Sequence, residues 1–462
     1  MAGYSRPHYA NGVLDDIFAH GILLEDVRLG NIKQRFLFLS LDVLKVPRMV
    51  GEYIKDEIKD RVDFALGHGH ILIHATHTHS APDLTGEFFW PGGAQNVVKG
   101  IMFGANRCDR YVVWITERIV RLVRRMAKNL EQAEMGWESE KVQEDLIINR
   151  RHPGRRSKGT LGVLAFRRPV DKSLIGLLVT YQCHPTTLSW LNDKISADFP
   201  GRVVAQIEEK TEGKVKAAYF NGAAGDLNPI TTCGPYYEAY EKYPSLRNNI
   251  YGQKGTYEHT KKMGNLLGDK ALALGETIKE ADFFPRFEFT SHLKTFWVPN
   301  EDHVYMSKTF LANKFVYLLK KYLVLPVAMC RDEEDEPNFP GLAIKKRGNK
   351  TNAYSLNHYI EFRAYSDEDG REKSLSIFGV PGELFEDIGK RFLEVSPAGE
   401  ENTFIFQNAN DWIAYLFPLT EYVSQGGYEP MASYGPLCGD YVEREMYLLL
   451  KKIQMEAEYS HF

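Results

Sequence analysis

Apolar positions along this chain fall into two patterns. Short unbroken runs, RFLFLSLDVL (35–44), ILIHAT (71–76), LGVLAFRR (161–168), LIGLLVTYQC (174–183) and VKAAYFNG (215–222), are rich in β-branched and aromatic residues and predict buried strands. FEFTSHLKTFWVP and TFIFQNAN (403–410) are strand-like too, the second opening into a long aromatic loop. Elsewhere apolar residues recur at three and four spacing. YVVWITERIVRLVRRMAKNL, between Cys108 and Glu134, predicts an amphipathic helix with a very basic outer face. Residues 257–279, DHVYMSKTFLANKFVYLLKKYL (302–323) and VEREMYLLLKKIQMEA (442–457) read as further helices, and Pro200–Gly201 open another. LSIFGVPGELFEDIGKRFLEV (375–395) reads as strand, tight turn and helix, and the acidic RDEEDEPNFPG (331–341) as a surface loop. Interleaved strands and helices predict an α/β (mixed α+β) fold with a mixed sheet and flanking helices. With no internal repeat and no Ser- or Gly-rich linker, residues 1–462 are expected to form one large catalytic domain.

Composition narrows the function. The chain of 462 residues is 44% hydrophobic and 26% charged, a globular balance that excludes disorder. Lys plus Arg is 57 against 61 Asp plus Glu, a net charge of −4, so nothing favours nucleic acid. The basic stretches at 117–128 and 150–158 read as solvated surfaces. No apolar run approaches the ~18 residues of a membrane span, so stable membrane insertion is not expected. MAGYSRPHYANG lacks the features of a secretory signal. Five cysteines (Cys108, Cys183, Cys233, Cys330, Cys438) are odd in number and never form CxxC. A reducing, cytoplasmic setting is therefore the expectation.

Histidine placement changes the picture. Of 14 histidines, five lie between His68 and His79, in HGHILIHATHTHSAPD. His77 and His79, two apart at a strand end, would face opposite ways in an extended chain. Unless the strand has already turned, one is a ligand and the other a neighbour. Imidazole suits zinc, and a catalytic zinc has three protein ligands and an open position; a His-rich surface loop is the alternative. His184 ends its strand on the edge where α/β enzymes build sites, or is structural. In NGAAGDLNP (221–229), glycines let backbone N–H groups approach a ligand, and Asp226 either orders the loop or binds a hard cation. The loop lacks the GK[ST] ending of a phosphate loop, and a plain turn fits equally well. Glu383, after a Pro-Gly turn, either favours a helix dipole or ligates a metal.

Seven segments together resemble the neutral (non-lysosomal) ceramidase family of zinc-dependent amidases. They are THTHSAP, INRR (148–151), YQCHPTTLS, ISADFPGR, YFNGAAGDLNP, VPGELFEDIG and NANDWIAYLFPLTEYVSQGGYEP, in the family's order from Gly3 to about Asp440. The resemblance implies one zinc per chain, held by His77, His184, Glu383 and Tyr415. It implies that His79 assists catalysis beside the metal, and that Arg150 and Tyr428 contact the reacting amide. The implied reaction is cleavage of a linear N-acyl amide by metal-activated water. Zinc, Arg150 and Tyr428 would stabilise the oxyanion, and His79 would pass a proton to the leaving amine. Several positions depart from the family pattern. The loop after the histidines, spanning 83–93, lacks the family's glycine-rich continuation. Asn228 stands where a serine is usual, which speaks against serine attack. VLDD (13–16) replaces a basic segment, and no C-terminal β-sandwich extension is expected. A small-molecule amide or lipid-like substrate is expected. The alternatives are another acyl or peptide-like bond in a soluble metabolite, or a catalytically silent metal-binding relative.

Overall fold

The computed structural model describes residues 1–3, 9–28, 31–62, 66–84, 108–152, 155, 157–231, 255–299, 352–366, 370–425, 429, 433 and 435–459. The helix expected at 302–323, the loop 331–341, Cys233, Cys330, Tyr428 and most of the 83–93 loop lie outside the described residues.

Strands β1 (Ala19–Arg28) and β2 (Asn31–Leu41) precede helix α1 (Arg48–Arg61), and β3 (Ile71–Ala75) and α2 (Asp109–Lys128) follow. Next come β4 (Glu134–Lys141), β5 (Ile147–Asn149), β6 (Thr160–Arg167), β7 (Leu174–Tyr181), α3 (Asp198–Lys210), β8 (Lys216–Asn221), β9 (Leu227–Pro229) and α4 (Tyr257–Thr277). The chain continues through β10 (Arg286–Pro299), β11 (Asn352–Tyr365), β12 (Glu372–Gly379), β13 (Glu383–Leu384), α5 (Glu386–Glu394) and β14 (Thr403–Phe406). It closes with β15 (Tyr415–Leu416), α6 (Leu419–Gln425) and α7 (Cys438–Tyr459).

The mixed α/β class holds, with the mixed pairing distributed over three sheets rather than one. Their strand orders are β1-β2-β3, β4-β6-β7-β8 and β10-β11-β12-β14. In each, pairing is antiparallel until the last strand, which joins in parallel. Two short ladders, β5-β9 and β13-β15, complete the described pairing.

Alternation along β2 explains the layering. Phe36 and Phe38 point into a core shared by all three sheets, where they meet Phe220, Phe289, Phe362, Phe404 and Phe406. Leu37, Leu39 and Leu41 point the other way, against α1 and α2. The second sheet packs its outer face on α3 and α4, and the third on α5 and α7. Strands β2, β3, β6, β7 and β8 are thus covered on both faces, which is why their sequences are unbroken apolar runs. Each fully buried Phe or Leu adds about 1.5–3 kcal/mol through the area removed from water. β1, β4 and β11 escape sequence detection because polar residues interrupt them, as in EMGWESEK, whose last four residues are half or fully exposed. Helix α2 has the expected basic outer face, with Val112, Ile115, Ile119, Val120 and Val123 turned inward.

The sheets meet at their strand ends. Asn410 N–H donates to Ile73 O (2.6 Å), Gln407 N–H to Asn221 O (3.0 Å) and Ala75 N–H to Asn408 O (3.3 Å). These bonds pin the carboxyl ends of β3, β8 and β14 together. That is the edge where α/β folds place their sites.

Candidate metal centre

His77 lies just past the end of β3. Its backbone still pairs, with N–H donating to Val43 O at 3.0 Å, but its φ of 72° is left-handed. The chain has therefore turned, and the period-two rule no longer separates His77 from His79. Their rings approach with centroids 5.0 Å apart. His77 Nδ1 lies 2.7 Å from Leu44 O. A carbonyl only accepts, so the proton sits on Nδ1 and Nε2 carries a lone pair.

His184 arrives at the same place from the second sheet. Its N–H donates to Leu227 O (2.8 Å), and its Nδ1 donates to Ala224 O (3.0 Å). Its ring is 4.7 Å from that of His77 and 5.1 Å from that of His79. The turn after it is held by buried Asp198, which accepts from Leu188 N–H and the Thr187 hydroxyl. One nitrogen from each of His77, His79 and His184 lies within 4.8 Å of the other two, and all three residues are buried.

The short β13-β15 ladder, separate from the three larger sheets, supplies Glu383 and Tyr415. They are register partners in the β13-β15 ladder, and Glu383 N–H donates to Ala414 O at 2.9 Å. Glu383 Oε1 accepts from Trp412 Nε1 at 3.0 Å. Its Oε2 sits 3.2 Å from His77 Nε2 and 3.7 Å from His184 Nε2. His77 Nε2, His184 Nε2 and Glu383 Oε2 are all buried, and none has a hydrogen-bond partner among the described residues. The Tyr415 hydroxyl bonds to Glu383. Gln407 Oε1 accepts from both Ala224 N–H and Leu384 N–H (3.1 Å each), locking the loop behind His184 to the strand bearing Glu383.

Electrostatics suit a cation. Burial, helped by His77, Arg150 and His79, pushes His184 well below the ordinary imidazole range, so it stays neutral. Burial alone would raise Glu383, but its neighbours His77, Arg150 and Tyr415 more than offset it and keep it ionised.

Arg150 follows β5. Its Nε donates to Glu429 Oε1 (2.9 Å), Nη1 to Asn228 Oδ1 (2.9 Å) and Nη2 to Gly225 O (2.7 Å). The guanidinium stands 5.4 Å from the Tyr415 ring. Next to it, Arg151 pairs with Glu421 and Glu429, and His152 Nε2 meets Glu421 Oε1. That hydrogen bond to Glu421 raises His152 above the ordinary imidazole value. Its folded value exceeds the unfolded one, so it contributes stability in full below about pH 6.5, lost as pH rises through the folded value. His152→Gln is therefore expected to shrink the fall in melting temperature between about pH 6 and 8. It does not abolish that fall, because Glu52 raises His68 in the same direction. Thermal melts of both proteins across that range check this; an unchanged difference would refute it.

Of the sequence-derived site residues, His77, His79, His184, Glu383, Tyr415 and Arg150 come together; Tyr428 lies outside the described residues. The other histidines of the cluster do not join them. His74 Nδ1 donates to Ser40 Oγ and its Nε2 accepts from Asn221 N–H, a buried brace whose desolvation lowers it to about 3. His68 pairs with Glu52 and Asp56, and His70 packs on Phe289. Asp226 orders its loop, accepting from Glu386 N–H (2.8 Å) and Asn149 Nδ2 (2.6 Å). The first-turn acids of α5 are Glu386 and Asp387, so Glu383 is not the dipole partner its position suggested. In VLDD, Asp15 accepts from Ser196 Oγ and Ala197 N–H, bracing the segment that holds Thr78 and Ser80. Trp412, Gln407, Arg151 and Glu429 went unread. Their only signals were an Arg-Arg pair after a strand and polar residues inside an aromatic loop.

Fold and site define an α/β protein with a buried imidazole–carboxylate centre at the carboxyl ends of its strands. The chain belongs to the neutral/alkaline non-lysosomal ceramidase family, whose N-terminal region matches residues 1–245. Solved structures similar to it include the neutral ceramidase from Pseudomonas aeruginosa, with a TM-score of 0.63 at 16% identity over 94% of this chain and 68% of that one. A structure described as ceramidase complexed with C2 gives 0.64 at 17% identity, covering 96% and 71%. At such identities the likeness is one of fold. No curated protein sequence matches the chain. Family and fold support a ceramidase-like hydrolase. Among the described residues no helix is long and apolar enough to cross a membrane.

Proposed function

We propose that this chain is a zinc-dependent amidohydrolase that cleaves a linear N-acyl amide, with His77, His184, Glu383 and Tyr415 holding the ion. One observation carries this: three buried atoms, His77 Nε2, His184 Nε2 and Glu383 Oε2, converge without hydrogen-bond partners among the described residues. Such atoms cost about 1–3 kcal/mol each when left unpaired, and a shared cation relieves all three. Two neutral imidazoles and one carboxylate match the nitrogen and oxygen preference of zinc and leave it net positive. A bound zinc supplies Lewis acidity, activating water and polarising the amide carbonyl.

The surrounding groups divide the remaining work. His79 carries a proton from the water to the leaving nitrogen. Arg150, fixed beside Tyr415, offers positive charge to the developing oxyanion, with Tyr428 as the second donor. Trp412 holds Glu383 in orientation. Residues 1–462 act as a single catalytic unit, a reading supported by a site drawn from the ends of two sheets and from the β13-β15 ladder.

Chelator-treated protein is expected to lose turnover of N-acyl amides and regain it with one equivalent of Zn2+. A panel of graded acyl chain length tests the substrate class: kcat/KM rising with length supports a lipid amide, whereas preference for short polar acyl groups rejects it. Trp412→Phe, which removes the donor to Glu383 Oε1, is expected to weaken zinc affinity about 10–100-fold. Competition against a chromogenic chelator reads this directly, and unchanged affinity would show that the contact is incidental.

A further inference from the structure

The adjacent arginines after β5 are tied into one buried network. Glu429, only 3% exposed, gives Oε1 to Arg150 Nε (2.9 Å) and Oε2 to Arg151 Nη1 (2.8 Å). Arg151 is gripped in turn by Glu421, through Nε to Oε2 (2.8 Å) and Nη2 to the backbone carbonyl (3.2 Å). Stability is a weak reason for such an arrangement, since buried ion pairs repay their desolvation poorly and apolar replacements are often neutral or stabilising. Orientation is a better one. A guanidinium is planar, and three acceptors, Glu429, Asn228 and Gly225 O, define the plane of Arg150 beside the Tyr415 ring.

We propose that Glu429 is a positioning residue: it fixes the Arg150 guanidinium beside Tyr415, while Arg151 and Glu421 hold Glu429 itself. This rests on the proposed role of Arg150 at the reacting amide. Among the described residues the Glu429 carboxylate bonds to Arg150 and Arg151, so it acts on the site through Arg150.

The test is a double-mutant cycle of Glu429→Gln and Arg150→Gln, with kcat and KM for an N-acyl amide and zinc content measured on each protein. Glu429→Gln is expected to lower kcat about tenfold or more, with KM within about threefold and zinc content unchanged. In the Arg150→Gln background it is expected to cost nothing further in kcat. Additive effects, or an unchanged kcat, overturn the inference. Should Glu429→Gln fail to fold, Arg151→Lys removes the second hold while keeping the charge, and the same coupling to Arg150 is expected. Absence of turnover in the unmodified protein would defeat the functional reading and not this one. A crystal structure of Glu429→Gln then decides: Arg150 leaving Asn228 and Gly225 supports it, and Arg150 unmoved overturns it.

Discussion

His184→Ala is expected to leave the protein folded, free of zinc and slower in amide hydrolysis by at least about a thousandfold, or about 4 kcal/mol of lost transition-state stabilisation. His184 is fully buried, with Nδ1 committed to Ala224 O and Nε2 aimed at Glu383. Without its imidazole, Glu383 keeps its bond from Trp412 and its neighbour His77, and the centre loses one of its nitrogen ligand atoms. Ala224 O loses a partner at a cost of about 1–3 kcal/mol, which a chain with three separate helix-covered cores can absorb. The informative control is His74→Ala. His74 is as deeply buried and stands three residues before His77, but it braces Ser40 and Asn221. Its loss is expected to lower the melting temperature while zinc stoichiometry stays at one. Metal analysis per chain with parallel melts distinguishes the two. Zinc retained in His184→Ala would mean that the histidines are a polar cluster and not a metal centre.

Gly225→Ala is expected to cut turnover about a hundredfold and destabilise the fold by about 1–3 kcal/mol. A methyl at Gly225 would lie 2.5 Å from Glu383 O and 2.9 Å from the carbonyl carbons of Glu383 and Leu384. These are backbone atoms and cannot rotate aside. Gly225 is also the joint of the site: its N–H donates to Leu384 O at 2.7 Å and its carbonyl accepts from Arg150 Nη2. Moving it shifts a proposed ligand and the oxyanion group together. Gly67→Ala, where nothing lies within 4 Å of the added methyl, is expected to stay within about 0.5 kcal/mol of the unmodified protein. Denaturant midpoints and kcat on the same preparations check both; a functional, stable Gly225→Ala would show that the two loops slide freely.

The turn at His77 shows how local reasoning reached its limit. Period two placed His77 and His79 on opposite faces, conditional on an extended chain. The left-handed φ at His77 breaks that condition and brings both rings to one side. The pull that makes this conformation worthwhile comes from Leu41, Val43 and Leu44 in the neighbouring segment after β2, which accept from Thr76, His77 and the His77 ring. Nothing within the sequence THTHS reveals those acceptors. Glu383 taught the same lesson in reverse. Its Pro-Gly context suggested a helix dipole partner, and only pairing with Tyr415 across the β13-β15 ladder turned it towards the histidines.

Burial on both faces left its mark as the unbroken apolar runs of β2, β3, β7 and β8, so those strands, the α2 face and the mixed α/β class were determined by the sequence alone. Motif order added the family and candidate ligands, because residue types survive where their spacing does not. What the tertiary structure decided was convergence. His77, His184 and Glu383 are more than 100 residues apart in the chain, and no local period relates them. They meet because β3 and β7 end, and the β13-β15 ladder lies, at one shared edge, which backbone bonds from Asn410 to Ile73 and from Gln407 to Asn221 hold closed.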